Sequence, residues 1–296
     1  LTFSRQTTKN KAHNDKGQMT NDYMDLLILV PTSVIVFALG TSIGSFINVV
    51  VYRLPGKLSI LFPPSRCPHC LRQLKAYDNV PVLGWLWLKG RCRYCKSKIS
   101  VRYPVVEAIT GIVFLLVLFV FKVSILTIGY WAFCSWLLAL SLIDFDTMIL
   151  PNQLTQSGLV LGIVFQMIVG FLPEASWSGL VYHLMRGIVG AVLGLWLFDA
   201  IAIFGSIAFG KTAMGGGDAK LAAMMGAWLG WKLLLLAGFL ACTLGALAGS
   251  GAIILSKKKW GQKMPFGPFL ALGAAIALFG GEAILSSYIR LFFPVT

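Results

Sequence analysis

Apolar stretches of bilayer-spanning length recur along this chain, near residues 24–51, 104–121, 125–143, 154–172, 181–204, 219–235, 236–255 and 265–281, with a weaker tail near 283–293. A helix needs about 20 predominantly apolar residues to cross a hydrocarbon core, whereas buried helices of soluble enzymes show runs of about 10–14. Inside lipid every backbone N–H and C=O must find its partner within the protein, and an unbroken helix meets that demand. The expected fold is an all-α polytopic membrane protein with about eight transmembrane helices. Composition agrees. Of 296 residues, 57% are hydrophobic and 12% charged, against roughly 25% charged in soluble domains. The ordinary soluble globular class is excluded.

Charge then orients the spans. Lys and Arg number 25 against 11 Asp and Glu, a formal net charge of +14. In a soluble protein that excess would point to nucleic acid. In a membrane protein it marks cytoplasmic loops and their anionic lipid surface, so no nucleic-acid partner is expected. The connection from Arg53 to Arg102 is rich in Lys and Arg against a lone Asp78, which assigns it to the cytoplasm. Counting spans onward returns the loops near 144–153 and 205–218, and the run Lys257–Lys259, to that side. Lys232 fits this scheme only by snorkelling from the outer end of a short span. Residues 1–23 are polar and without apolar periodicity, and are expected to be disordered. Residues 24–52 form the first span, 53–103 a cytoplasmic loop domain and 104–296 the remaining membrane domain. The chain opens on Leu1, which leaves processing or truncation open, and no cleaved signal peptide is expected before the long first apolar run.

The cytoplasmic loop holds two C-x2-C pairs, Cys67 with Cys70 and Cys92 with Cys95. Two such knuckles can complete a tetrahedral four-thiolate zinc site. Disulfides are the alternative, and a reducing cytoplasm disfavours them. Four thiolates leave no open coordination position, so the metal would be structural, stapling a loop too short for a core of its own. His69 lies inside the first knuckle and is read as a bystander. Cys134 and Cys242 fall in apolar spans and read as small buried hydrophobes.

An acid at mid-membrane costs about 2.5–3.5 kcal/mol on insertion scales, so the acids in or beside spans are functional candidates. Asp218 ends the run Gly215-Gly216-Gly217, where absent side chains would let a peptide backbone approach the carboxylate, with Gly217 closest to it. A glycine hinge followed by a helix-capping Asp explains the same residues, and both readings stay open. Asp144 and Asp146 close a span before Leu150 and Pro151. Two positions apart on a helix they face different directions, so at most one can point at a given partner. Asp199 lies deeper in an apolar segment, where it could pair with a cation or carry a proton. Glu107 and Glu282 lie near span ends, where solvated anchoring is expected.

Four features in order carry a resemblance to the type IV prepilin peptidase family, membrane aspartic peptidases with a GxGD motif. They are Gly44-Ser45-Phe46-Ile47-Asn48 through Arg53-Leu54-Pro55, and the paired C-x2-C loop ending at Arg102-Tyr103-Pro104. They continue with Leu142-Ile143-Asp144-Phe145-Asp146 before Leu150-Pro151, and with Gly215-Gly216-Gly217-Asp218-Ala219-Lys220, followed later by Pro265-Phe266-Gly267-Pro268. The resemblance places the two catalytic aspartates on Asp144 and Asp218. It differs at Asn152, where the family usually carries Asp. It implies cleavage of the leader from type IV prepilin and pseudopilin precursors at the cytoplasmic face of the bacterial inner membrane. It also implies methylation of the new N-terminal amine with S-adenosyl-L-methionine, for which no glycine-rich strand-to-helix signature is present. In the first reaction one carboxylate takes a proton from water while the other polarises the scissile carbonyl. Two other classes compete. A proton or cation transporter would use Asp199 and the span-end acids, and a zinc-bearing scaffold would need the cysteines but neither aspartate.

Overall fold

The computed structural model describes residues 3–172, 176–210, 214–255 and 264–292, with side chains from Leu27 on, Phe209 and Ile253 apart. Its helices are α1 (Phe3–Arg53), α2 (Leu83–Trp87), α3 (Arg102–Phe121), α4 (Ile125–Thr147), α5 (Asn152–Phe171), α6 (Trp177–Phe209), α7 (Gly216–Ile254) and α8 (Gly267–Phe292). Among the described residues there is no strand, and two isolated bridges are the only extended pairing. Helix α1 takes in the polar segment set apart above, and Lys257–Lys259 lie outside the described residues.

Seven helices among the described residues are long and apolar enough to cross a membrane. The sequence pattern predicts about eight, and the difference lies in α7. The expected boundary at 235–236 is absent, and the chain instead breaks at Gly230, whose φ of 75° and ψ of 171° interrupt the helix. Residues 216–229 form a first arm. Gly187, Gly190 and Gly194 of α6 face Ala227, Gly226 and Ala222 in turn, so this arm runs antiparallel to α6. Residues 231–254 form a second arm. Gly273 and Gly281 of α8 face Ala237 and Leu233, so this arm runs antiparallel to α8. The starts of α8 and of the first arm both meet Asp144, which makes the chain reverse at Gly230. Lys232 therefore follows directly on the reversal and no longer needs to snorkel from within a span. Only the first arm is short, about 21 Å at 1.5 Å per residue.

A polar group secures that reversal. Arg186 donates to the carbonyl of Leu229 at 3.1 Å, meeting an orphaned acceptor at the end of the first arm with a cation. Buried Gln166 donates to the carbonyl of Trp228 at 2.8 Å and lies 3.2 Å from Nδ1 of His183. Trp228 stacks on Phe133 and Phe165, with ring centroids 5.3 and 5.0 Å away. A Cβ at Gly230 would lie 2.6 Å from Nε of Arg186 in a left-handed backbone. Gly230→Ala is expected to destabilise by about 1–3 kcal/mol from backbone strain alone, and Arg186→Met by about 1–3 kcal/mol. Thermal unfolding in detergent checks both.

The chain forms two compact units, Leu1–Ser45 with Lys75–Leu116, and Phe46–Leu74 with Val117–Thr296. In the first, Gly40 and Gly44 of α1 lie against Gly111 and Glu107 of α3, where absent side chains let the helices close up. Glu107 departs from the solvated role expected of it. It is buried, and its Oε2 accepts the N–H of Val82 at 2.7 Å, holding a β-branched residue at φ 61°. Glu282 is exposed, as expected of a span-end anchor.

Candidate active site

Helix α4 ends with a left-handed residue, Met148, whose N–H returns to the carbonyl of Asp144 at 2.8 Å. The turn leads through Leu150 and Pro151 into α5, so α4, α5, the first arm of α7 and α8 all have an end near Asp144. Asp144 is buried at 5% exposure, whereas Asp146 and Phe145 point outward. This settles which of the two neighbouring acids faces the bundle. Asp144 Oδ2 accepts the N–H of Gly267, the first residue of α8, at 2.8 Å. The carboxylate therefore sits on the positive end of that helix. A Cβ on Gly267 would lie 2.7 Å from the same oxygen and 3.1 Å from Cγ, so only glycine fits. Gly267 belongs to Pro265-Phe266-Gly267-Pro268, a run whose role the sequence alone does not disclose. The signal was the glycine itself, placed before a proline in a first turn.

Asp218 lies in the first turn of α7 at 7% exposure. Its Oδ2 accepts the N–H of Gly215 at 3.2 Å, while its own N–H bonds the Gly215 carbonyl at 3.0 Å. This reciprocal pair is the reverse half of a capping box, so the capping explanation is part of the truth. It is not the whole, because Asp218 also feels the charge of Asp144. Two acids 74 positions apart thus come within electrostatic range of each other, held from separate helices by separate backbone N–H groups.

The three glycines differ in what surrounds them. A Cβ on Gly217 would meet Leu150 Cβ at 3.0 Å, which explains the buried Leu150, while one on Gly216 would have nothing within 4 Å. The open approach is at Gly216 and not, as the sequence suggested, at Gly217. Gly216→Val is expected to cut peptide cleavage at least about tenfold with the fold retained, by filling the space a substrate backbone would use. Gly217→Val is expected to lower the melting temperature instead, by pressing on Leu150. Beyond this turn Lys220 donates to Asn152 Oδ1 at 2.7 Å, tying the starts of α5 and α7 together.

The two cysteine knuckles are alike. In each, the first cysteine's N–H bonds a carbonyl five residues on, Cys67 to Arg72 and Cys92 to Ser97, and a left-handed residue, Leu71 or Lys96, follows the second cysteine. The ligand atoms of Cys67, Cys70, Cys92 and Cys95 lie within 4.8 Å of one another, so the group could hold a metal ion. Tetrahedral bonds of about 2.3 Å put sulfurs roughly 3.8 Å apart, which falls inside that limit. All six described cysteines are free of disulfides, and His69 is exposed and outside the group. Cys134 is buried as expected, but Cys242 is exposed on the second arm of α7. Among the described residues no strand leads into a glycine-rich turn of the kind that cradles S-adenosylmethionine.

Family models match in chain order. The Bacterial Peptidase A24 N-terminal domain covers residues 38–121 and the Type IV leader peptidase family residues 131–250. A prepilin leader peptidase/N-methyltransferase of Aeromonas hydrophila is 35% identical over 282 residues, 87% of this chain and 94% of the relative. This chain belongs to the type IV leader peptidase family. Proteins of the same description from Stutzerimonas stutzeri and Neisseria gonorrhoeae are 36% and 34% identical, covering 85% and 88% of this chain and 92% and 95% of their own lengths. No solved structure matches it. As a type IV leader peptidase family member with seven apolar helices of spanning length among its described residues, the chain is a multi-pass membrane protein.

Proposed function

We propose that this chain cleaves the leader from type IV prepilin and pseudopilin precursors at the cytoplasmic face of the bacterial inner membrane, then methylates the new N-terminal amine. The observation that carries the reading is that buried Asp144 and Asp218 lie within electrostatic range of each other, each held through Oδ2 by one backbone N–H. In the hydrolysis, one carboxylate removes a proton from water as its oxygen bonds the scissile carbonyl carbon. The other, protonated, donates to the carbonyl oxygen as it gains charge. Collapse of the tetrahedral intermediate breaks the C–N bond, and a proton passes to the departing amine. The two acids act as one titrating pair. Gly215 and Gly216 form the side from which the substrate backbone enters, while Gly217 packs against Leu150. S-adenosylmethionine supplies the methyl group of the second reaction.

The metal held by Cys67, Cys70, Cys92 and Cys95 is assigned as structural zinc, stapling the 53–103 loop. One equivalent is expected to copurify, as read by elemental analysis. Its removal by chelation is expected to expose the loop to proteolysis, because binding energy at such sites is folding energy. Protein free of bound metal as isolated would overturn the assignment. The function as a whole is tested by incubating purified protein with a prepilin-like precursor, with and without S-adenosylmethionine, and weighing the products. A shortened product supports the peptidase, and a further gain of one methyl group supports the second activity. An uncut precursor would refute the reading.

A further inference from the structure

Asp199 has no place in the chemistry above. It lies on α6, well inside an apolar span, and is exposed. Trp196 and Ile203, one turn to either side, are 73% and 59% exposed, so the carboxylate stands on an outward apolar face. Among the described residues no hydrogen bond or ion pair engages it. An unpartnered carboxylate on an apolar outward face is a place for a cation to bind.

Its depth is given by the packing of α6 on α7. Gly194 lies against Ala222, and one turn on, buried Phe198 reaches the level of Asp218 and packs on Gly238. Asp199 therefore stands within about a turn, ~5 Å, of the level of the two site carboxylates. Helix α6 then continues for residues 200–209, about 15 Å further, while α4, α5 and the first arm of α7 end or begin near the site. This projecting end keeps an apolar outer face in Ile203, Phe204 and Ile207. A precursor whose scissile bond reaches Asp144 and Asp218 must pass beside apolar helices, and its own flanking segment must be apolar to do so.

We propose that this face of α6 docks the membrane helix of the precursor, with Asp199 pairing a lysine or arginine of the precursor within about a turn of the scissile bond. The proposal rests on the peptidase reading. Charge complementarity selects this occupant over lipid tails, which offer the carboxylate nothing. The pairing sets register, presenting one peptide bond to the site.

The test uses full-length protein made inactive by Asp144→Asn, so that capture does not depend on cleavage. A photo-crosslinking residue is placed at Ile203, or as control at Met185, on the exposed face of α6 toward its other end. A purified precursor with its apolar helix intact is expected to be captured from Ile203 and not from Met185. Adding Asp199→Asn is expected to lower capture at least tenfold, and Asp199→Glu to retain it. A precursor with neutralised leader cations should be captured equally weakly with Asp199 or Asn. Equal capture at both positions, capture of lipid or a second copy only, or no effect of Asp199→Asn would each overturn the docking surface. Should active protein leave the precursor uncut while Ile203 still captures it, the peptidase reading falls and the docking surface stands.

Discussion

Asp144→Asn and Asp218→Asn are each expected to lower leader cleavage by about 10²–10⁴-fold, the range over which positioned acid–base groups act. Asparagine keeps the shape and can still accept the backbone N–H of Gly267 or Gly215, so the helix ends should stay in place. What it loses is the ability to take up or release a proton. The double substitution should cost little more than either single one, because the acids act as a unit and their effects do not add. Cleavage rates of a precursor, with thermal unfolding as the control for folding, check this. Full activity in either folded variant would remove that aspartate from the chemistry. Methylation of a precleaved substrate is the second readout, and it should survive in both variants, since proton transfer at the scissile bond is no longer needed.

Gly267→Ala should be almost as damaging although residue 267 carries no functional group. The added methyl would occupy space 2.7 Å from Asp144 Oδ2 and 3.1 Å from its Cβ. Either α8 moves outward or the carboxylate turns away, and a displacement of about 1 Å at a reacting group is enough to cost about 100-fold. The loss should appear in kcat more than in KM, because the substrate's path past Gly216 is untouched. Gly267→Ala should also leave metal content unchanged, which distinguishes a local effect from general misfolding. A variant that cleaves like the parent would show that the Gly267 N–H is dispensable for holding Asp144.

Both cases show where reading the chain alone stopped. Asp144 and Asp218 stood out because acids are rare in apolar segments and because their flanking motifs are specific. Gly267 did not, since a glycine before a proline has many explanations until the carboxylate beneath it is seen. Adjacency to Asp218 singles out Gly217, yet Leu150, 67 residues earlier in the chain, occupies its open side. Glu107 reads as a solvated anchor because it lies near a span end, but the Val82 N–H binds it in a buried position.

The amino-acid sequence by itself determined the all-helical membrane class, the order of the spans, the four-cysteine group and the two acids. Each of these follows from local content: apolar length, charge, or the spacing of a short motif. Only the tertiary structure decided that the chain reverses at Gly230, that Gly267 holds Asp144, that Gly216 is the open glycine and that Asp199 faces outward at the depth of the site. The physical reason is that a backbone break, a hydrogen bond across 123 residues and an exposed face all depend on what other helices bring to the same place. No short window of residues contains that information.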